Sequence, residues 1–452
     1  MRSRTRNFVA VPYLLLCLVL GGASAAGILG NLFLQLLGAL LAIALLLTGR
    51  SRHWQPGERG LWLLVGGWLL LIALQLAPLP PGLWSSLPGR DSIVDGFRSL
   101  GMSLPWLSLS LSPDGTLRAL ASTLPVVTMI ALVAPTSVRY RQFFLPVVVG
   151  FGIVALLVGL SQVAGSANSP LYFYDVTNRG YTVGFFANRN HQATLLLMTL
   201  PFVAALATPL LQDGRYRQEG AAKAVVIAVL FAVISGGVMV TGSRAGMAIL
   251  PLVIGFCVLM VRKDLAGSVP RSWIVAAALF VLAAIAAVGA SGIVTRDALA
   301  KGNVQASTRE AIWNETGRLA LEFEPAGSGL GSFVALYRMN EDPDDRPDEF
   351  TNHAHNDYLE WLLETGFPGL LLLAAFLLWY ALAVRRSWTS TDSALGRAGS
   401  IAIGVVLLHS MVDYPVRTAA IAALCGLCAA LMVSARPPSE EGRFRKSASR
   451  RL

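Results

Sequence analysis

Runs of roughly 17 to 22 apolar residues, the length a bilayer's hydrocarbon core demands of a helix, recur along this chain of 452 residues. They begin near positions 8, 28, 60, 118, 143, 191, 223, 245, 272, 367, 398 and 418. Backbone groups in hydrocarbon must bond one another, so each run is expected to be an α-helix. Composition agrees: 54% of residues are hydrophobic and 14% charged, against about 25% charged in a soluble domain. The expected fold class is all-α: one polytopic membrane-embedded domain over 1–452 with about 12 transmembrane helices. The first run follows Arg2, Arg4 and Arg6 and precedes small residues, as a signal peptide would. A second apolar run starts almost at once, so the first is read as a retained helix.

The net charge of +10 does not point to nucleic acid, because the charge is sorted by side of the membrane. With the N-terminus placed in the cytoplasm, the short inner segments and the basic tail 436–452 hold 23 of the 36 basic residues but only 7 of the 26 acidic ones. This is the positive-inside pattern, and an even span count leaves both termini cytoplasmic. The outer side carries three long segments, about 79–117, 164–190 and 293–366. Cys17, Cys257, Cys425 and Cys428 all fall in apolar runs. Cys425 and Cys428 have metal or redox spacing but no second ligand pair, so they read as packing residues. No metal is expected. The acidic segment EDPDDRPDE at 341–349 is broken by Pro343 and Pro347, lacks EF-hand spacing and reads as a solvated loop.

Polar residues gather at the outer ends of the spans. Arg189 and His191 open the sixth, Arg244 stands in the turn TGSRAG, Arg309 lies in the third outer segment, and His409, Asp413 and Arg417 surround the turn after the eleventh. A lone arginine at a helix end can snorkel to headgroups. Several embedded among small and apolar residues, on the side that should be poor in arginine, point instead to a shared anion, and the guanidinium fork fits phosphate or diphosphate oxygens. Asp413 is placed to orient His409 or an arginine.

The densest polar stretch is TNHAHNDYLEWLLETGFPG, 351–369, directly before an apolar run. Leu359, Leu362 and Leu363 share one side of a helix, while Asp357, Glu360 and Glu364 recur at spacings of three and four. That is the pattern of an amphipathic helix at the membrane interface. His355 stands at its N-terminal end, where the helix disfavours imidazolium, which suits a general base.

These residues carry a resemblance. His355-Asn356, nine residues, Gly366, two residues and Gly369 resemble the histidine motif of the O-antigen ligase family. FFANRNHQA at 185–193, TGSRAG at 241–246, TREAIW at 308–313, PAGSGLGSF at 325–333 and HSMVDYPVR at 409–417 also resemble that superfamily, over about 180–420. The resemblance implies a metal-independent, inverting glycosyltransferase without cofactors. It would move a glycan from undecaprenyl diphosphate to an acceptor hydroxyl, on the lipid A core or a growing glycan, at the periplasmic face of a bacterial inner membrane. The outer segment 293–366 would then be a large periplasmic loop. Carried over by motif, His355 is the expected base and Arg244 a diphosphate ligand. By location and chemistry, Arg189, His191, Arg309, Asn356, Asp413 and Arg417 are expected to bind the diphosphate or glycan, while His353 falls outside the motif. Polymerases of the same superfamily and protein O-oligosaccharyltransferases are the alternative readings. A transporter would place its ionisable residues nearer the bilayer midplane.

Overall fold

The structure is a computed structural model. It describes residues 3–25, 27–48, 57–212, 217–264, 296–341, 351–390 and 393–433. The expected span near 272, nearly all of the acidic segment 341–349 and the basic tail 436–452 lie outside them. A helix covers each of the other eleven apolar runs. Eight are long and apolar enough to cross a membrane; Phe8–Leu20, Ala394–His409 and Ala419–Met432 are shorter apolar helices. The protein is an all-α polytopic membrane protein. Among the described residues the one sheet is a two-residue antiparallel ladder, pairing Pro78 with Ser108 and Leu79 with Leu107.

The spans divide by what surrounds them. Leu29–Thr48 carries no charge, and only 11% of its apolar window is buried. Leu32, Phe33, Leu36 and Leu40 are exposed along it, a surface suited to lipid tails. The helix Arg189–Gln212 is the opposite case, with 89% of its window Arg189–Ala207 buried. It packs on Phe144–Ala164, Arg217–Val240, Arg244–Asp264 and Ala394–His409. A helix enclosed by protein can hold polar side chains if they find partners. Here Thr194 and Thr199 donate back to Asn190 O at 2.9 Å and Leu195 O at 2.8 Å. The first helix, Ser3–Leu20, buries Ala10, Leu14 and Cys17 in the same core against Ala419–Met432, so it is an integral part of the bundle.

At the opposite helix ends, buried arginines close exposed carbonyl termini. Arg397 donates to Ser387 O and Ser390 O, and Arg141 to Ala134 O and Val433 O. Basic side chains at helix C-termini satisfy carbonyls that lack an intrahelical partner. Some of the basic bias read in the sequence therefore has this structural use as well.

A second, smaller core lies outside the bundle. Ile312 and Leu319 from Arg296–Glu322 and Phe323 just after it, with Phe333, Leu336 and Tyr337 from Phe333–Asn340, meet Ala354 and Leu363. The motif glycines show how this layer is joined to the membrane helices. The helix Asp357–Thr389 is interrupted at Gly366 (φ 56°, ψ −152°), which separates a short head from the span. A methyl group there would stand 2.4 Å from Pro325 O and 2.6 Å from Gly327 N. Around that close approach, Phe367 N donates to Pro325 O at 3.0 Å, Ser328 N to Leu363 O at 2.9 Å and Gly329 N to Glu364 O at 2.9 Å. At Gly369 an added methyl would overlap Thr365 Oγ1. Gly366 thus lets the loop at 325–329 fasten to the helix that follows His355, while Gly369 makes room for Thr365 and Trp361 within that helix.

Gly366→Ala combines a left-handed backbone with a backbone clash and should cost about 3 kcal/mol or more. Gly150→Ala, in Phe144–Ala164 with nothing within 4 Å of the added methyl, should leave stability unchanged or raise it by up to about 1 kcal/mol. Thermal melting of the two variants in detergent checks the contrast.

Candidate active site

The site is built on the turn between Ala394–His409 and Ala419–Met432. Its exit is fixed locally: Pro415–Arg417 is a single 3₁₀ turn, and Thr418 caps the next helix by accepting from Ile421 N at 3.4 Å. Within the turn Asp413 is wholly buried. Its Oδ1 accepts from Tyr414 N at 3.0 Å and faces His355 Nδ1 at 3.3 Å; its Oδ2 accepts from Asn190 Nδ2, one residue into the central helix. Burial alone would push this carboxyl towards its neutral form. The hydrogen bond and charge of His355, with His191 and Arg309 further off, hold it well below the usual carboxylate range instead.

An ionised carboxylate only accepts, so His355 Nδ1 carries the proton of the shared hydrogen bond. When the ring is neutral, its lone pair is therefore on Nε2. His355 adopts a positive φ of 52°. Asn356 follows as the N-cap, its side chain accepting from Tyr358 N at 3.0 Å and Leu359 N at 3.2 Å. The imidazole is 23% exposed, against 1% for the Asp413 side chain. A half-open histidine backed by a buried carboxylate is the geometry of a general base whose orientation is set from behind.

A parallel arrangement stands beside it. His353 Nδ1 lies 2.9 Å from Glu360 Oε1, and Glu360 Oε2 accepts from Ala354 N at 2.9 Å. Both rings pack on Tyr414, with centroids 4.5 Å away for His353 and 4.8 Å for His355. His191 meets the same tyrosine edge-on at 5.1 Å.

The structure brings most of the expected residues to this face, though not all to one task. Arg189 is nearly buried, with its guanidinium over the Tyr181 ring at 4.1 Å. A methyl on Gly242 would come 3.4 Å from Arg189 Nη1, so Arg189 lies against the TGSRAG turn that carries Arg244. Arg244 itself is exposed and opens the helix Arg244–Asp264. Arg309 reaches in from the outer layer and donates to Val412 O at 3.0 Å.

Other expected residues have structural employment. Asn356 spends its side-chain oxygen on the cap. His191 is 1% exposed, beneath the surface, and neither ring nitrogen bonds another described residue. His409 shares a 2.8 Å hydrogen bond with Thr194 Oγ1, so Asp413 serves His355 and not His409. Arg417 faces Asp357 at 3.3 Å, Glu360 at 3.3 Å and Glu364 at 3.5 Å. A guanidinium ringed by three carboxylates is a poor receptor for another anion. The acidic face of the amphipathic helix likewise differs from expectation: it turns inward on Arg417, with Glu360 and Glu364 buried.

Residues 227–374 match the family model described as O-antigen ligase. The match covers about a third of the chain and supports an O-antigen ligase family assignment. The match supports an activity of the O-antigen ligase or polymerase type in general, a glycosyltransferase-like one. No curated protein matches the chain. The matched region contains Arg244, Arg309, His355 and the motif glycines; Arg189, Asn190 and Asp413 come from outside it and are added by the fold.

Sequence reasoning passed over Asn190, Tyr414 and His353. The first two stand inside the quoted stretches FFANRNHQA and HSMVDYPVR. His353 stands two residues before His355, and the bend of the chain there, with His355 at positive φ, brings both rings onto Tyr414.

Removing Arg417 strands three carboxylates, two of them almost fully buried. Arg417→Ala should therefore destabilise the protein by about 3–5 kcal/mol. Arg98→Ala, which breaks an exposed pair with Asp95, should cost under about 1 kcal/mol. Detergent melting curves measure both.

Proposed function

We propose that the protein transfers a glycan from undecaprenyl diphosphate to an acceptor hydroxyl on the lipid A core. In this reading the reaction runs at the periplasmic face of a bacterial inner membrane, with both termini in the cytoplasm. The observation that carries it is the buried Asp413 behind partly exposed His355, with Arg309 bonded to Val412 O beside it and Arg189 against the turn that carries Arg244. The complete histidine motif, His355-Asn356 with Gly366 and Gly369, is the reason ligation is put ahead of polymerisation.

The donor already holds a good leaving group. His355 Nε2 takes the proton of the acceptor hydroxyl as its oxygen attacks the anomeric carbon. The bond from that carbon to the diphosphate oxygen breaks on the opposite side, which inverts the configuration. Negative charge grows on the departing lipid diphosphate, and Arg189 and Arg244, with Arg309 beyond, stabilise it. Fixed positive groups aimed at developing charge act mainly in the transition state. Asp413 keeps the His355 ring in the required tautomer and stabilises the imidazolium that forms. Arg417 has no part in binding the diphosphate; it holds the helix after His355 in place.

The test is deletion of the gene in its host, complementation with variants, and gel analysis of surface lipopolysaccharide. Deletion should leave bare core on the surface and long glycan on undecaprenyl diphosphate. His355→Ala should insert in the membrane but fail to restore long chains, with transfer slowed by about 10²–10⁴-fold. His353→Ala should retain more activity than His355→Ala. Core carrying a single repeat unit would instead identify a polymerase, and full complementation by His355→Ala would remove the proposed base.

A further inference from the structure

The first outer segment holds a cavity outside the matched region and apart from the histidine site. It has a volume of about 160 Å³ and is lined by Trp84, Arg90, Ile93, Leu107, Ser110 and Leu111, among others. Arg90 is 2% exposed. Its contacts are with neutral groups: Nη2 donates to Leu109 O at 2.7 Å, and the guanidinium lies 5.7 Å from the Phe323 ring centroid. Nε is buried without a hydrogen-bond partner, and no carboxylate lies within ion-pair distance among the described residues. Burial pulls the Arg90 pKa down to about 10, with no anion to offset it. A buried cation ordinarily keeps a counter-charge. Arg397 and Arg141, also buried, sit at helix C-termini whose carbonyls carry partial negative charge; Arg90 has no such setting.

We propose that this cavity is a subsite for one acidic sugar unit, with Arg90 binding its oxyanion and the apolar walls packing against its ring. The indole nitrogen of Trp84 is already committed to Pro105 O at 2.8 Å, so the ring contributes an apolar surface. The cavity, about 160 Å³ and lined by eight residues, suits one sugar ring better than an oligosaccharide. The floor is rigidly placed. Ser110 N donates to Gln75 O at 2.9 Å and Leu111 N to Ser328 O at 2.8 Å, in the loop fastened beneath the helix of His355. That the ligand is part of a glycan rests on the transferase reading; binding itself is measured with neither donor nor acceptor, so either can fail without the other.

The experiment is calorimetric titration of the full chain in nanodiscs with D-glucuronate, D-glucose and inorganic phosphate. Wild type should bind glucuronate more tightly than phosphate and bind glucose least. Arg90→Gln should weaken glucuronate at least about tenfold, the worth of one charge-assisted hydrogen bond. Ile93→Trp fills the cavity and keeps Arg90, so it decides the matter if Arg90→Gln does not fold; it should also abolish binding. The proposal is overturned if wild type does not bind glucuronate, if phosphate or glucose binds as tightly, or if the folded variants bind as wild type does.

Discussion

A carboxylate with no exposure to solvent, at the outer end of a helical bundle, requires partners, and the arrangement around Asp413 follows from that requirement. Asn190 is brought from the head of the central helix, His355 from the end of the outer loop and Arg309 from the outer layer's long helix. The charge is retained because His355, with His191 and Arg309 further off, outweighs its desolvation. The same charge fixes which nitrogen of His355 holds a proton. One buried ionisation thus ties together three separate segments and defines the face of the imidazole left open to an acceptor.

Around this pair the fold supplies rigidity. Arg417 crosses from the turn to the acidic side of the helix after His355 and meets all three of its carboxylates. Glu364 Oε1 also accepts from Gly331 N at 2.8 Å, and Gln75 bridges Glu364 O and Leu330 N. Close backbone approach at Gly327 and Gly366 completes the joint. The proposed base must be held to fractions of an ångström. The segment that follows it is held by contacts among a membrane helix, a loop and a buried ion-pair cluster.

The sequence made the spans legible because a bilayer imposes length and apolarity on every helix that crosses it. It also singled out His355 and Arg244, the residues of the proposed mechanism, whose short motifs stand whole in the chain. What it left hidden was partnership. Asp413 is separated from His355 by 58 positions and from Asn190 by 223, and no local pattern announces either meeting. Arg417 read as an anion ligand because its three carboxylates lie 53 to 60 residues earlier. The acidic face of the Asp357 helix was correctly periodic but wrongly aimed, since periodicity reports a face and not what covers it. Asn356 read as a site residue because it belongs to the motif, yet its place there is explained by the cap it forms.

The central claim is that Asp413 acts through His355, and a double-mutant cycle tests it most directly. Transfer of glycan from a lipid-diphosphate donor to lipid A core would be timed for wild type, Asp413→Asn, His355→Ala and the double variant, each reconstituted and verified as folded. Asp413→Asn should slow transfer by about 10²-fold or more in the wild-type background and cause no further loss once His355 is gone. Equal losses in both backgrounds would mean that Asp413 contributes independently of the histidine, and the proposed pairing would be wrong.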